Sequence, residues 1–324
     1  MNRKTTPRSL YLIAVIFAGS LCLIPIAVLA RPETNADGIQ IGKLEKTWSQ
    51  HGITEGSLQK PRAMAIDRNG DIYIVDKTAR IQVFDRNGTY LRGWRTPLFE
   101  NGKPTGLSFD LDGNLLVADT HYFRVLSYTP AGELLEDRIL GGTFGRKPGE
   151  FGLVTEAVVD SKGCLYVSEY GEYDRIQKFS PNGEFQFEWG GHGPEEGQFI
   201  RPQNMIVDDQ DRIWVVDACN HRIQIFDATG DSAKLVKIIG NEGSGPGEFR
   251  YPYDLLIADD YLYVCEFGNH RVQKLTLDGE CIGMWGKKGR GEGELFNPWA
   301  IIQDERGRIH VLDTYNHRVQ RIRL

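Results

Sequence analysis

The chain has 324 residues, 40% of them hydrophobic and 25% charged, which is enough apolar material for a buried core and excludes disorder by composition. Its net charge is −6, and beyond the first 30 residues 35 bases face 44 acids, so the basic footprint of a nucleic-acid binder is missing and no nucleic-acid partner is expected. Five cysteines without a C-x-x-C pair exclude a disulfide scaffold and a zinc ribbon.

Residues 1–9 are polar and basic, and the next 21 residues, Leu10 to Ala30, carry no charge. About 20 apolar residues cross a bilayer as a helix. Pro25 also leaves Leu10–Ile24 at the length of a secretory signal, with Val28-Leu29-Ala30 as a cleavage site. Residues 1–30 are therefore a membrane anchor or a signal peptide, and the length favours the anchor. Residues 31–38 read as a linker and 39–324 as the folded body. The basic leading end predicts an extracytoplasmic body, held at the membrane through residues 10–30, or secreted or periplasmic if the segment is cleaved.

Repetition dominates the rest. Ile72–Asp76, Leu115–Asp119, Leu165–Glu169, Ile213–Asp217, Leu262–Glu266 and Ile309–Asp313 are short apolar runs ending in an acid. Four to six residues later stands Arg80, Arg124, Arg175, Arg222, Arg271 or Arg318, at intervals of 44, 51, 47, 49 and 47. Periods of about 40–50 residues with four short strands each predict propeller blades. In the fourth unit, strand a is Asn204–Val207 after Pro202, strand b Ile213–Val216, strand c Arg222–Phe226 and strand d Leu235–Ile239. Asp-x-x-Gly segments supply the turns. Strand b is apolar on both faces, as a strand between neighbouring sheets must be. The predicted fold is all-β, a six-bladed β-propeller with four-stranded antiparallel blades. The sixth unit stops after strand c, and Leu44–Trp48 is predicted to pair there, so that the N-terminal strand closes the last blade.

The pattern G-x-G-x-G-E-F-x-x-P, followed by an apolar run, an acid and N-H-R-[IV]-Q, resembles the NHL repeat. Its sharpest copies are Asn220-His221-Arg222, Asn269-His270-Arg271 and Asn316-His317-Arg318. The resemblance covers residues 39–324 and implies a six-bladed NHL propeller, distantly similar to the propeller of peptidyl-amidoglycolate lyase. It implies no single function, because such propellers include protein- and RNA-binding modules and a zinc lyase.

What all six units share serves the blade. Asp76/Arg80, Asp119/Arg124, Glu169/Arg175, Asp217/Arg222, Glu266/Arg271 and Asp313/Arg318 read as structural pairs. Zinc needs its ligands within about 2.1 Å of one point. Equivalent positions on stacked sheets lie on the order of 10 Å apart, so His221, His270 and His317 read as packing residues.

What differs between units can read a ligand. The loops joining strands b and c share one face with the loops joining d to the next a. On that face Arg62, Gln203, Tyr253 and Trp299 follow the proline that opens strand a, and Tyr122, Tyr170, Tyr173, Phe267 and Tyr315 lie in the b–c loops. This aromatic set suits a protein, peptide or glycan. Trp299 and Tyr253 lead it, because that position is hard to bury in the sheet stack. In the zinc lyase that the resemblance points to, histidine follows the opening proline. The matching positions here are Arg62, Thr105, Thr155, Gln203, Tyr253 and Trp299, and none is histidine. Glu156, Asn204 and Asp254 occupy the next position in consecutive blades and form the candidate set for a channel calcium or zinc. Cys219 and Cys265 lie on one face in adjacent blades, and two separate thiols are favoured over a disulfide. The sequence thus points to an exported or membrane-anchored binding module without cofactor or catalysis. The alternative is a metal-dependent lyase or hydrolase with its metal on the axis.

Overall fold

The computed structural model describes residues 33–35 and 38–324. The apolar segment 10–30 lies outside the described residues, and no helix among those described is long and apolar enough to cross a membrane. The unit from Glu33 to Leu324 is a ring of six antiparallel sheets.

Blade 4 shows how the sequence makes a sheet. Pro202–Val207, Arg212–Asp217, Arg222–Asp227 and Lys234–Ile239 pair in that order. Strand b is apolar because both its faces are covered, and every residue of Ile72–Asp76, Leu115–Asp119 and Ile309–Asp313 is buried. Strand d is the outer edge, and Tyr90–Arg95 accordingly alternates between half-buried and exposed. In the turns an aspartate replaces backbone acceptors: Asp67 Oδ1 accepts the amides of Asn69 at 2.8 Å and Asp71 at 2.9 Å. Each blade-to-blade junction carries its own apolar cluster, such as Trp214, Val216, Leu255 and Val264 between blades 4 and 5.

The ring closes as the sequence predicts. Lys43–Trp48 runs antiparallel to Arg318–Arg323, with Trp48 opposite Val319. One feature has no sequence signal. Gln40–Ile41 first adds to blade 5 as a fifth, parallel strand beside Cys281–Trp285, and the chain then crosses to blade 6. The crossing passes through Gly42, where a Cβ would stand 2.8 Å from that of Trp285.

The repeated acid and arginine form ion pairs in all six blades, from 2.5 Å in Asp76–Arg80 to 2.8 Å in Asp217–Arg222. The arginine does more than neutralise the acid. Arg271 also donates to the carbonyls of Ser244, Gly245 and Glu248 in the preceding d–a loop, at 2.7, 2.9 and 2.9 Å. Gln273 grips the same loop, donating to Glu248 O at 2.9 Å and accepting from Gly247 N at 2.9 Å. The glycine-rich motif is therefore a loop wound around a guanidinium and an amide. Gly240, at φ +84°, sits where any side chain would run into the ring of Phe249.

The recurring histidines tie one blade to the next. Nδ1 of His221, His270 and His317 accepts the amide of Tyr251, Asn297 and Lys60, at 3.0, 3.0 and 2.9 Å. Each acceptor is the imidazole of one blade, and each donor precedes the proline that opens the next. An accepting Nδ1 must be unprotonated, and burial lowers all three imidazoles below 6.5. Because the folded value is depressed, this contribution to stability is complete above about 6.5 and is lost as pH falls below it. Replacing His270 with alanine is therefore expected to lower the melting temperature by more at about pH 7 than at about pH 5. A loss equal at the two values would rule out protonation of the clasp as a source of pH dependence.

Candidate functional site

Strand a positions the site. Arg62, Thr155, Gln203 and Tyr253 each sit at a register shift against strand b. A bulge adds a residue and re-aims the side chains around it. It follows directly on a left-handed residue before the opening proline: Lys60 at φ 45°, Arg201 at 62° and Tyr251 at 47°, with Asn297 at 52° ahead of Pro298. In blades 1, 4 and 5 both the bulged residue and its successor then face the axis, while in blade 3 Thr155 turns its hydroxyl to Ser168 and Pro202 and only Glu156 lines the channel. The resulting channel has a cavity of about 230 Å³, with Arg62, Gln203, Tyr253 and Trp299 on its wall beside Glu156, Asn204 and Asp254.

Tyr253, Phe267, Trp299 and Tyr315 form one aromatic cluster. Tyr253 stacks on Phe267 at 4.4 Å and meets the edge of Trp299 at 4.9 Å, while Phe267 contacts Trp299 at 5.8 Å and Tyr315 at 6.2 Å. Contrary to the expectation for its position, Tyr253 is buried, with 7% of its surface exposed. The bulge turns it inward beneath Phe267 and Arg201. Cations lie on the cluster. Arg62 stands over Trp299 at 5.6 Å, Arg201 between Tyr170 at 4.9 Å and Tyr253 at 5.2 Å, and Lys60 over Tyr315 at 4.9 Å. Burial works against the Arg62 charge and lowers its pKa, but a guanidinium keeps its charge in proteins.

Tyr122 and Tyr173 do not join this cluster. Tyr122 accepts the amide of Asn101 at 3.1 Å and lies under Arg124, and Tyr173 packs beside Phe144 and Arg175. Arg201 and Lys60 are members that sequence reasoning missed. A signal existed: Lys60, Lys103 and Arg201 each precede an opening proline.

Glu156 and Asp254 line the channel as buried groups held by backbone donors. Glu156 accepts from Ala157 N at 3.0 Å and Asn204 Nδ2 at 3.1 Å, in space left by Gly106. Asp254 accepts from Leu255 N at 2.8 Å and Ile301 N at 2.7 Å. Burial pushes both carboxyls up to about 8. Each carboxyl is committed to its own backbone amides, and Asn204 turns its amide donor toward Glu156. The set therefore does not present charged oxygens converging on one point, as a hard cation requires. Among the described residues no group of three or more His, Cys, Asp or Glu is placed to hold a metal. Cys164, Cys219, Cys265 and Cys281 are free thiols.

The raised carboxyls work in the opposite sense to the imidazole clasps. Their contribution is complete below about 4, where the unfolded chain is also protonated, and is lost as pH rises from there to about 8, above which it changes no further. The melting temperature of Glu156→Gln, relative to the intact chain, is expected to climb between about pH 4 and about 8. A difference that stays constant over that range would assign the decline to other groups.

The family described as a 6-bladed beta-propeller matches residues 199–284. Mouse (Mus musculus) peptidyl-glycine alpha-amidating monooxygenase is 29% identical over 293 residues, covering 86% of this chain and 27% of the relative. The chain thus spans about a quarter of that relative's length. Human (Homo sapiens) NHL repeat-containing protein 3 is 27% identical over 266 residues, covering 74% of this chain and 72% of the relative. Among solved structures, an auxiliary nutrient binding protein from Bacteroides ovatus superposes with a TM-score of 0.62 at 18% identity, covering 88% of this chain and 75% of that one.

Proposed function

We propose, from the premise that the chain is a six-bladed β-propeller of the NHL-repeat family, that it is a non-catalytic binding module for a protein, peptide or glycan on its loop face. The observation that carries this reading is the aromatic cluster of Tyr253, Phe267, Trp299 and Tyr315 with Arg62 and Arg201 at one channel mouth. Ligand sites are concave, mostly apolar and furnished with a few polar groups, which describes this mouth. The nutrient-binding description of the B. ovatus neighbour supports the same role. Catalysis is not part of the proposal, because the six positions where a zinc lyase of this fold would place histidine hold none.

Residues 1–30 carry the module out of the cytoplasm and tether it by Leu10–Ala30, or release it if they are cleaved. Residues 31–38 link this segment to the propeller. External protease added to intact cells is expected to digest the body and spare cytoplasmic markers, and full protection would overturn this placement.

A peptide and glycan array probed with the full chain tests the binding role. The expected hits disappear with Trp299→Ala and persist with Lys162→Ala on the opposite, turn-bearing face. Hits indifferent to Trp299 would move the binding surface elsewhere.

A further inference from the structure

Cations in this protein are generally spent on a partner. The arginine that opens every strand c meets an acid, and five of the six also grip loop carbonyls. Arg62 is different. Among the described residues no hydrogen bond or ion pair joins its guanidinium, whose contact is the face of Trp299. Arg201 commits only Nε, to Gln203 Oε1 at 2.9 Å. The two guanidiniums lie close enough to repel one another.

The groups around them are also donors. The hydroxyls of Tyr170, Tyr253 and Tyr315 face the Arg62 charge and make no hydrogen bond to another described residue. The channel carboxyls do not serve as counter-ions, since Glu156 and Asp254 are capped by backbone amides and neutralised by burial. Two like charges and three hydroxyls therefore gather at a half-buried opening where, among the described residues, Gln203 Oε1 is a neutral acceptor and no anion pairs with either guanidinium, in a chain whose net charge is −6. Buried cations normally come paired. An acceptor-rich anion is what the site lacks.

We infer that Arg62 and Arg201 form a clamp for the carboxylate of a small hydroxylated organic acid at the channel mouth. The inference rests on the loop-face binding reading and adds the charge and size of the ligand to it. A guanidinium fork matches a carboxylate with two parallel hydrogen bonds. The cation–π contacts hold both forks in place before the ligand arrives, so little side-chain entropy is lost on binding. The same contacts argue against a neutral sugar stacked on the rings, because Trp299 and Tyr253 already have their faces covered by Arg62, Arg201 and Phe267. A cavity of about 230 Å³ lies below the roughly 300 Å³ at which drug-sized pockets begin. It suits a body of monosaccharide size, with Arg62, Gln203 and Tyr253 on its wall and Arg201 beside it over the Tyr253 ring.

Titration calorimetry of the full chain with D-glucuronate and with D-glucose tests the clamp. Glucuronate is expected to bind, more weakly as salt is added, and glucose is not. Arg62→Gln and Arg201→Gln should each weaken glucuronate by about tenfold or more, with Lys162→Ala, on the turn-bearing face, unchanged. Equal binding of the two probes, no glucuronate binding by the folded chain, or full binding by Arg62→Gln would each overturn the clamp. If glucuronate fails while array hits still depend on Trp299, the clamp falls and the binding module stands. If those hits are absent as well, both fall.

Discussion

Replacing Trp48 with alanine is expected to destabilise the propeller by about 3–5 kcal/mol, and removing residues 39–48 to abolish its cooperative unfolding. Trp48 is 6% exposed and sits at the joint between the first and last blades. Its backbone pairs with Val319 of blade 6, and its ring contacts Phe84 of blade 1 at 5.0 Å. The same cluster takes Leu58, Ile72 and Leu312 from both sides of the seam. Gly88, at φ +82°, passes against the indole where a side chain would overlap it. Truncation therefore leaves a large cavity at the one junction that covalent order does not close. Deleting the strand goes further and exposes the ladder edge of Arg318–Arg323, inviting intermolecular pairing. Calorimetric melting checks both variants. A deletion that melts as sharply as the intact chain, and at the same temperature, would show that the ring does not need its clasp.

Much of this was legible because the repeat states each rule six times. Full burial of strand b makes it a continuous apolar run, and the recurring acid, arginine and glutamine mark a loop clamp whose contents the glycine-rich motif supplies. The missing last strand d and the surplus Leu44–Trp48 declare closure between them. What escaped has no repeated or periodic signal. Gln40–Ile41 is too short to carry a strand pattern, and its parallel pairing depends on where the chain must cross. Strand d of blade 2 is only Leu140–Gly141, preceded by a single 3-10 turn at Glu136–Arg138. In the site, the aromatic residues were found but their roles were not. The bulge that buries Tyr253 depends on the backbone conformation of Tyr251, which the sequence does not display. Two of the cations that cover the rings, Lys60 and Arg201, come from positions before the prolines, where the units share no single residue type.

Blade 2 supplies the contrast for the second large effect. Replacing Glu266 with alanine is expected to cost about 3–5 kcal/mol, the range for breaking a buried pair from one side. Glu266 Oε1 accepts from Arg271 at 2.5 Å and Gln273 at 2.9 Å, and Oε2 from Asn269 at 2.6 Å and the Arg250 amide at 3.0 Å. Its loss strands four donors and leaves Arg271 charged and about nine-tenths enclosed. The loop carbonyls on Arg271 would then lose their anchor as well, so the damage should spread to the d–a loop. Asp119 in blade 2 makes the same kind of pair with less attached. It accepts Arg124 Nε at 2.8 Å, while its Oδ1 and Arg124 Nη2 are both buried without a partner. The segment ahead of strand a in this blade lacks the glycine-rich motif, and a leucine, Leu126, stands where the other blades place glutamine. Alanine at Asp119 removes one hydrogen bond and an already unsatisfied oxygen, where alanine at Glu266 removes four hydrogen bonds. A loss of about 1 kcal/mol is expected there, the worth of an ordinary hydrogen bond. Denaturant midpoints of the two variants, at unchanged slope, measure the difference. Equal losses would mean that the ion pair itself, and not the loop it anchors, is what the repeat preserves.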